Sequence, residues 1–87
     1  MVIGRGGKSF WVDVKLNAPP DVSREHCRIR RDDSNGRFYI RDVSQYGTVV
    51  NGTRIPSDNN IEVPLPERCR ITLADVVDLE FEAVPAR

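Results

Sequence analysis

Short apolar runs alternate with turn signals roughly every 8 to 12 residues, the spacing of an all-β sandwich, and no segment carries a long helical stripe. Val2 and Ile3 lead straight into a glycine turn, and Phe10 to Val14, aromatic and β-branched, reads as a strand. The double proline of "NAPPD" marks a loop. In "HCRIR", Cys27 and Ile29 share one face while His26, Arg28 and Arg30 share the other, the period of a half-buried strand. Asn35-Gly36 predicts a hairpin with a type I′ turn, in which both central residues take positive φ, and "FYIRDV" is its returning strand. "SQYGT" and "NGT" are two further turns around "VV", and "SDNN" is a loop. "IEVPLPE" is extended but interrupted by prolines, as an edge segment is. In the last run, "VDLEFEAV", Val77, Leu79 and Phe81 oppose Asp78, Glu80 and Glu82. Thr72 to Asp75 also fit a short helix cap, but the alternation after Val77 favours a strand.

The chain opens almost inside its first element. Residues 1–87 are therefore read as a single domain excised from a larger protein, with its first strand missing or truncated. A domain of this size buries only roughly 60 to 65% of its unfolded surface, which leaves little room for a deep enzyme pocket.

Charge narrows the function further. Thirteen basic and 13 acidic residues balance, so the basic excess that drives nucleic-acid or membrane-surface binding is missing, and neither partner is expected. Cys27 and Cys69 stand far apart without a C-x-x-C spacing, and one histidine leaves too few ligands for structural zinc. Both cysteines are expected in the core, and no metal or cofactor is expected. No apolar run reaches the length of a signal-peptide core or a membrane span. The expectation is a soluble, monomeric, intracellular domain, with the cytoplasm as its compartment.

"GRGGKS", residues 4 to 9, has the composition of a phosphate holder. A P-loop would need a glycine where Val2 stands and a helix where the aromatic, β-branched run follows, so a nucleotide-binding enzyme is disfavoured.

Three separated pieces give a better account: Gly4-Arg5, Ser23-Arg24-Glu25-His26, and Asp42 to Gly52, "DVSQYGTVVNG". Their order and spacing over almost the whole chain resemble the forkhead-associated (FHA) domain, which carries G-R, S-x-x-H and N-G-T-x-x-N-G. The resemblance implies an eleven-stranded β-sandwich of two antiparallel sheets whose loops at one end bind phosphothreonine peptides. Arg5, Ser23 and Arg24 match phosphate-binding positions. A phosphate monoester carries about −1.5 to −2 charge and three acceptor oxygens, which suit an arginine fork and hydroxyl donors. Gly4, His26, Gly47, Thr48, Asn51 and Gly52 match residues that support the binding loops; His26 is expected to be buried and hydrogen-bonded rather than catalytic. Gln45 and Tyr46 replace the family's usual residues before the glycine; the Gln45 amide can still donate, whereas Tyr46 changes how peptide backbone is met. Asp21, two residues before Ser23, predicts a basic or apolar preference at the third residue after the phosphothreonine. Lys8 adds positive potential beside Arg5.

The implied function is a non-enzymatic reader of phosphothreonine-containing proteins downstream of a serine/threonine kinase. The alternative is an FHA-like scaffold or interaction domain without phosphate dependence, to which Gln45 and Tyr46 would point.

Overall fold

The computed structural model describes residues 1–83. Among them the chain forms nine strands and no helix: β1 (Val2–Gly4), β2 (Val14–Lys15), β3 (Cys27–Arg31), β4 (Phe38–Asp42), β5 (Thr48–Val50), β6 (Thr53–Arg54), β7 (Val63–Leu65), β8 (Arg68–Leu73) and β9 (Val77–Glu82). One sheet has the order β2-β1-β3-β4-β7 and the other β6-β5-β8-β9. The expected β-sandwich is present, with nine described strands rather than the implied eleven. Every pairing is antiparallel except β1 with β2, which run parallel in the register Ile3↔Val14. A parallel neighbour needs a crossover, and residues 5–13 supply it.

The two sheets bury Ile3, Val22, Cys27, Ile29, Ile40, Ile55, Leu65, Cys69, Ile71 and Leu73 between them. Period-two alternation explains the selection: β8 buries Cys69, Ile71 and Leu73 and leaves Arg68 and Arg70 exposed. β9 tucks Val77, Leu79 and Phe81 toward the core and turns Asp78, Glu80 and Glu82 outward. Phe38 on β4 meets Phe81 edge-on with ring centroids 5.4 Å apart. This contact ties one sheet to the other at the end of the sandwich where β3 turns into β4. Cys27 and Cys69 are free and buried, as expected of core residues.

Several local expectations change. Only Val14 of the Phe10–Val14 run enters a strand; Phe10 is held by a bridge to Gly7, and Asp13 binds back to Val2 through both its backbone N–H and its carboxylate. The first part of the crossover is bonded to itself, and only its last residue, Asp13, reaches the edge of β1, where the ladder with β2 begins. The Asn35-Gly36 hairpin forms, but only Gly36 takes positive φ (71°), so the turn is not type I′. Asp32 reorganises it, accepting bonds from the Ser34 N–H and hydroxyl and, through its carbonyl, from Gly36. The two-residue type I′ geometry falls instead at Asn51 (φ 49°) and Gly52 (φ 83°), joining β5 to β6. No helix follows Thr72: Ala74 and Asp75 take φ of 51° and 58° in the tight turn between β8 and β9. The proline-bearing segment is an edge strand as expected, since β7 has a neighbour only in β4. The strand β8 has a clear alternation in its sequence, yet the expectations above leave Arg68 to Ile71 unassigned. Val84, the end of the last apolar run, lies outside the described residues.

Candidate functional site

The C-terminal end of β1, the segment before β3 and the segment after β4 meet at one end of the sandwich. Pairing forces this, because β1 and β3 run antiparallel with Ile3 opposite Cys27, and β3 pairs β4 with Cys27 opposite Asp42. Gly4-Arg5, Ser23–His26 and Asp42–Gly47 are therefore neighbours in space despite their separation in sequence.

Backbone hydrogen bonds lock the first two pieces together. Arg5 N–H donates to the Ser23 carbonyl at 3.1 Å and Gly6 N–H to the Arg24 carbonyl at 2.9 Å. The approach is so close that a Cβ on Gly4 would lie 2.2 Å from the Arg24 carbonyl oxygen, which explains the glycine without any appeal to φ. Arg5 Nε donates to the Val22 carbonyl. That bond orients the guanidinium and leaves its two terminal nitrogens for another acceptor.

His26 fastens the second piece to the third. Its ring is fully buried, accepts the Ser23 N–H at Nδ1 (3.1 Å) and sits 2.8 Å from the Gly47 carbonyl at Nε2. An N–H can only donate, so Nδ1 is the bare nitrogen and Nε2 carries the proton that goes to Gly47. Burial holds the imidazole below its ordinary pKa of 6.5, against smaller opposing effects of the Gly47 carbonyl and the Asp42 charge. The histidine is thus a neutral brace.

The third piece is shaped by Asp42, which is buried. Its Oδ1 accepts from Ser44 N–H at 2.9 Å, from the Ser44 hydroxyl and from Thr48 Oγ1 at 3.1 Å. The Ser44 hydroxyl oxygen in turn accepts Gly47 N–H at 2.8 Å. These bonds hold the Gln45 backbone N–H toward the Ser23 hydroxyl oxygen, to which it donates at 3.1 Å. The Ser23 oxygen is an acceptor there, so its own proton remains available to an incoming oxygen atom.

Gly47 adopts φ 99° beneath Arg54, whose guanidinium nitrogen would sit 1.8 Å from an added Cβ. Arg54 also donates to the Tyr46 carbonyl at 3.1 Å and to Asp75 at 3.4 Å. The Tyr46 side chain is exposed.

Arg24 is exposed, with its guanidinium carbon 5.5 Å from the centre of the Phe10 ring. Glu25, the nearest acid in sequence, is taken by Arg28 at 3.0 Å. Among the described residues Arg5, Lys8, Lys15 and Arg24 have no ion-pair partner, and neither do Arg37, Arg41 and Arg68, whereas Arg28, Arg30, Arg31, Arg54 and Arg70 are paired. Four of these seven unpaired cations, Arg5, Lys8, Lys15 and Arg24, belong to the loop end or to the crossover and strand beside it, and Arg5 and Lys15 share a shallow depression with Asn17.

The structure brings together Gly4, Arg5, Ser23, Arg24, His26, Gln45, Tyr46, Gly47 and Thr48. It places Asn51 and Gly52 elsewhere, at the far end of β5, where Asn51 Oδ1 accepts Arg70 N–H at 2.9 Å and Asn51 N–H donates to the Arg70 carbonyl at 2.9 Å. They secure the β5–β6 hairpin to β8. Sequence reasoning passed over Asp42 and Ser44, whose D-x-S spacing is the signature of an Asx turn. It also passed over Lys15 and Arg54, which reach the site only through the crossover and the hairpin. No cluster of metal-ligating side chains exists among the described residues.

The FHA domain model matches residues 1–74. The chain belongs to the FHA domain family. Curated relatives include the E3 ubiquitin-protein ligase CHFR of Danio rerio, 33% identical over 49 residues and 56% of this chain. The CHFR of Pongo abelii is 28% identical over 75 residues, 86% of this chain. The chain spans only 8% and 12% of the length of these two relatives. Among solved structures, the MEK1 FHA domain superposes with a TM-score of 0.74 at 26% identity over 95% of this chain and 69% of that one. The MEK1 FHA domain bound to a HOP1 phosphothreonine peptide gives 0.70 at 25% identity, covering 93% of this chain and 78% of that one. FHA domains are interaction modules, and this one has the family's two-sheet sandwich.

Proposed function

We propose that this FHA domain is a non-enzymatic phosphopeptide reader that grips phosphothreonine with Arg5 and Ser23, assisted by Arg24. One observation carries the reading: Ser23 Oγ accepts the Gln45 N–H while Arg5 is bonded to Val22 and Ser23, which leaves the Ser23 hydroxyl proton and the terminal guanidinium nitrogens of Arg5 uncommitted at the same loop end. Donors fixed before the ligand arrives lose little entropy on binding. Neutral His26 beneath them braces without adding charge. The MEK1 FHA domain in complex with a phosphothreonine peptide supports the same ligand class here. Gln45 reaches the site through its backbone N–H, so the change of side chain at that position does not remove the support it gives to Ser23. The partner is a phosphorylated protein in serine/threonine kinase signalling, met by an intracellular monomeric domain.

Fluorescence polarisation of one peptide in phosphothreonine, phosphoserine and unmodified forms tests the reading. Binding should be confined to phosphorylated forms, with phosphothreonine the tighter of the two. Arg5→Ala should cost roughly 2 to 5 kcal/mol of affinity, the usual loss when one partner of a desolvated charge pair is removed. Equal affinity for phosphorylated and plain peptide would make the domain a phosphate-independent scaffold instead.

A further inference from the structure

The chain has six aromatic residues, and the fold uses them unevenly. Phe38 and Phe81 pack together, and Tyr39 lies under Arg30. The other three are left in water, with Phe10 38%, Trp11 74% and Tyr46 54% exposed. Phe10 lies under Arg24 and Tyr46 follows Gln45, so both border the Arg5–Ser23 cluster, and Trp11 follows Phe10 on the crossover that starts at Arg5. Apolar surface gathered at one place on a small domain marks an interaction site, and tryptophan and tyrosine dominate the few residues that carry binding energy.

Charge specifies the occupant. Lys8 and Lys15 flank Phe10 and Trp11 in sequence, Arg24 covers Phe10, and none of the three cations has an ion-pair partner among the described residues. The one carboxylate of the crossover, Asp13, accepts the Val2 N–H at 2.6 Å and forms an ion pair with none of these cations. A ligand segment on this surface must bring its own carboxylates. It must also bring an apolar side chain for the indole.

We infer that the crossover from Lys8 to Trp11 is a second recognition surface, reading an acidic and apolar segment that flanks the phosphothreonine of the same peptide. This rests on the phosphopeptide reading above. Because the crossover begins at Arg5, an extended peptide gaining roughly 3.3 Å per residue can reach Trp11 within a few residues of the phosphate. Phe10 acts by positioning Arg24 on its ring face, whereas Trp11 and Lys8 make the contacts.

Trp11 is the only tryptophan in the chain, so its emission reports directly on this surface. Two phosphothreonine peptides serve as probes, one flanked by glutamates and a leucine and one flanked by alanines, with unphosphorylated versions of each. Calorimetry supplies affinity, and tryptophan fluorescence supplies contact. The acidic, apolar peptide should bind about tenfold tighter, on the scale of one interface anchor, and should shift Trp11 emission to the blue. Trp11→Ala should erase that preference while leaving the alanine-flanked peptide's affinity unchanged, and Lys8→Glu, which also removes positive potential beside Arg5, should weaken the acidic peptide more than the alanine-flanked one. Phosphate-dependent binding with unchanged emission and no flank preference would overturn the inference and leave the phosphopeptide reading standing. Failure of every phosphopeptide to bind better than its plain version would remove both.

Discussion

Two glycines illustrate how differently the same residue type can be required. At Gly4 the backbone of Ser23 and Arg24 occupies the space of a side chain, with atoms at 2.2, 2.7 and 2.9 Å from an added Cβ. Those atoms are main chain and cannot rotate away. At Gly52 nothing lies within 4 Å, and only φ 83° resists a side chain. Gly4→Ala should therefore cost about 3 kcal/mol or more and displace Ser23 and Arg24, so phosphopeptide binding falls with stability. Gly52→Ala should cost only about 1 to 2 kcal/mol, the usual penalty of the left-handed conformation, with binding intact. Chemical denaturation alongside peptide titration of both variants separates the two cases. The reading also weakens if Gly4→Ala keeps wild-type affinity.

At the scale of elements, turns rather than strands decide what the loop end presents. Asp42 organises the turn after β4 through Ser44 and Thr48, and the Ser44 hydroxyl also holds Gly47. Ser44→Ala removes the hydroxyl's bonds to Asp42 and to the Gly47 N–H and loosens the turn that carries the Gln45 N–H to Ser23. It should cost about 1 to 2 kcal/mol of stability and weaken phosphopeptide binding severalfold, read by thermal melts and polarisation. Asn51→Ala makes the contrasting case. It loses the bond to Arg70 and the favoured type I′ residue, so a similar loss of stability is expected with no change in peptide affinity, because that turn sits at the other end of β5. A drop in affinity for Asn51→Ala would mean that the two ends of β5 are coupled.

The whole molecule should register pH through His26. In the unfolded chain the imidazole titrates near its ordinary 6.5, whereas burial depresses it in the fold. The unfolded state therefore binds the proton first as pH falls, and stability drops between 6.5 and the lower folded value; above 6.5 it is fully present. The slope is at most about 1.4 kcal/mol per pH unit for one proton. Asp32, held low by Ser34, and Glu62, held low by Arg30, act in the same direction but at more acidic pH. Melting temperatures from pH 8 to 5 should fall below neutrality in the wild type and stay flatter in His26→Gln. Burial also pushes the Cys27 thiol up to about 12, so alkylation at neutral pH should await global unfolding.

Fold class, the edge character of "IEVPLPE", the alternating face of β9 and the motifs that meet at the loop end, apart from the Asn51-Gly52 end of the third, were legible in the sequence, because period-two patterning and turn chemistry are local. So was the need for glycine at positions 4 and 47, by resemblance. What the sequence did not disclose depends on contacts across distance. The Phe10–Val14 run looks like a strand by composition, but Phe10 is held in a turn with Gly7 and only Asp13 and Val14 reach β1. The type I′ turn moved from Asn35-Gly36 to Asn51-Gly52 because Asp32 captured the first loop. Asp42 and Ser44 carry the spacing of an Asx turn, but that the turn supports the site follows only from the burial of Asp42 and the bond from Gly47 to Ser44. The clustering of unpaired cations and exposed aromatics at one end likewise exists only in three dimensions, since pairing and exposure are properties of neighbours in space. Local patterning therefore set the elements, and the packing of the two sheets decided which side chains were left free to meet a ligand.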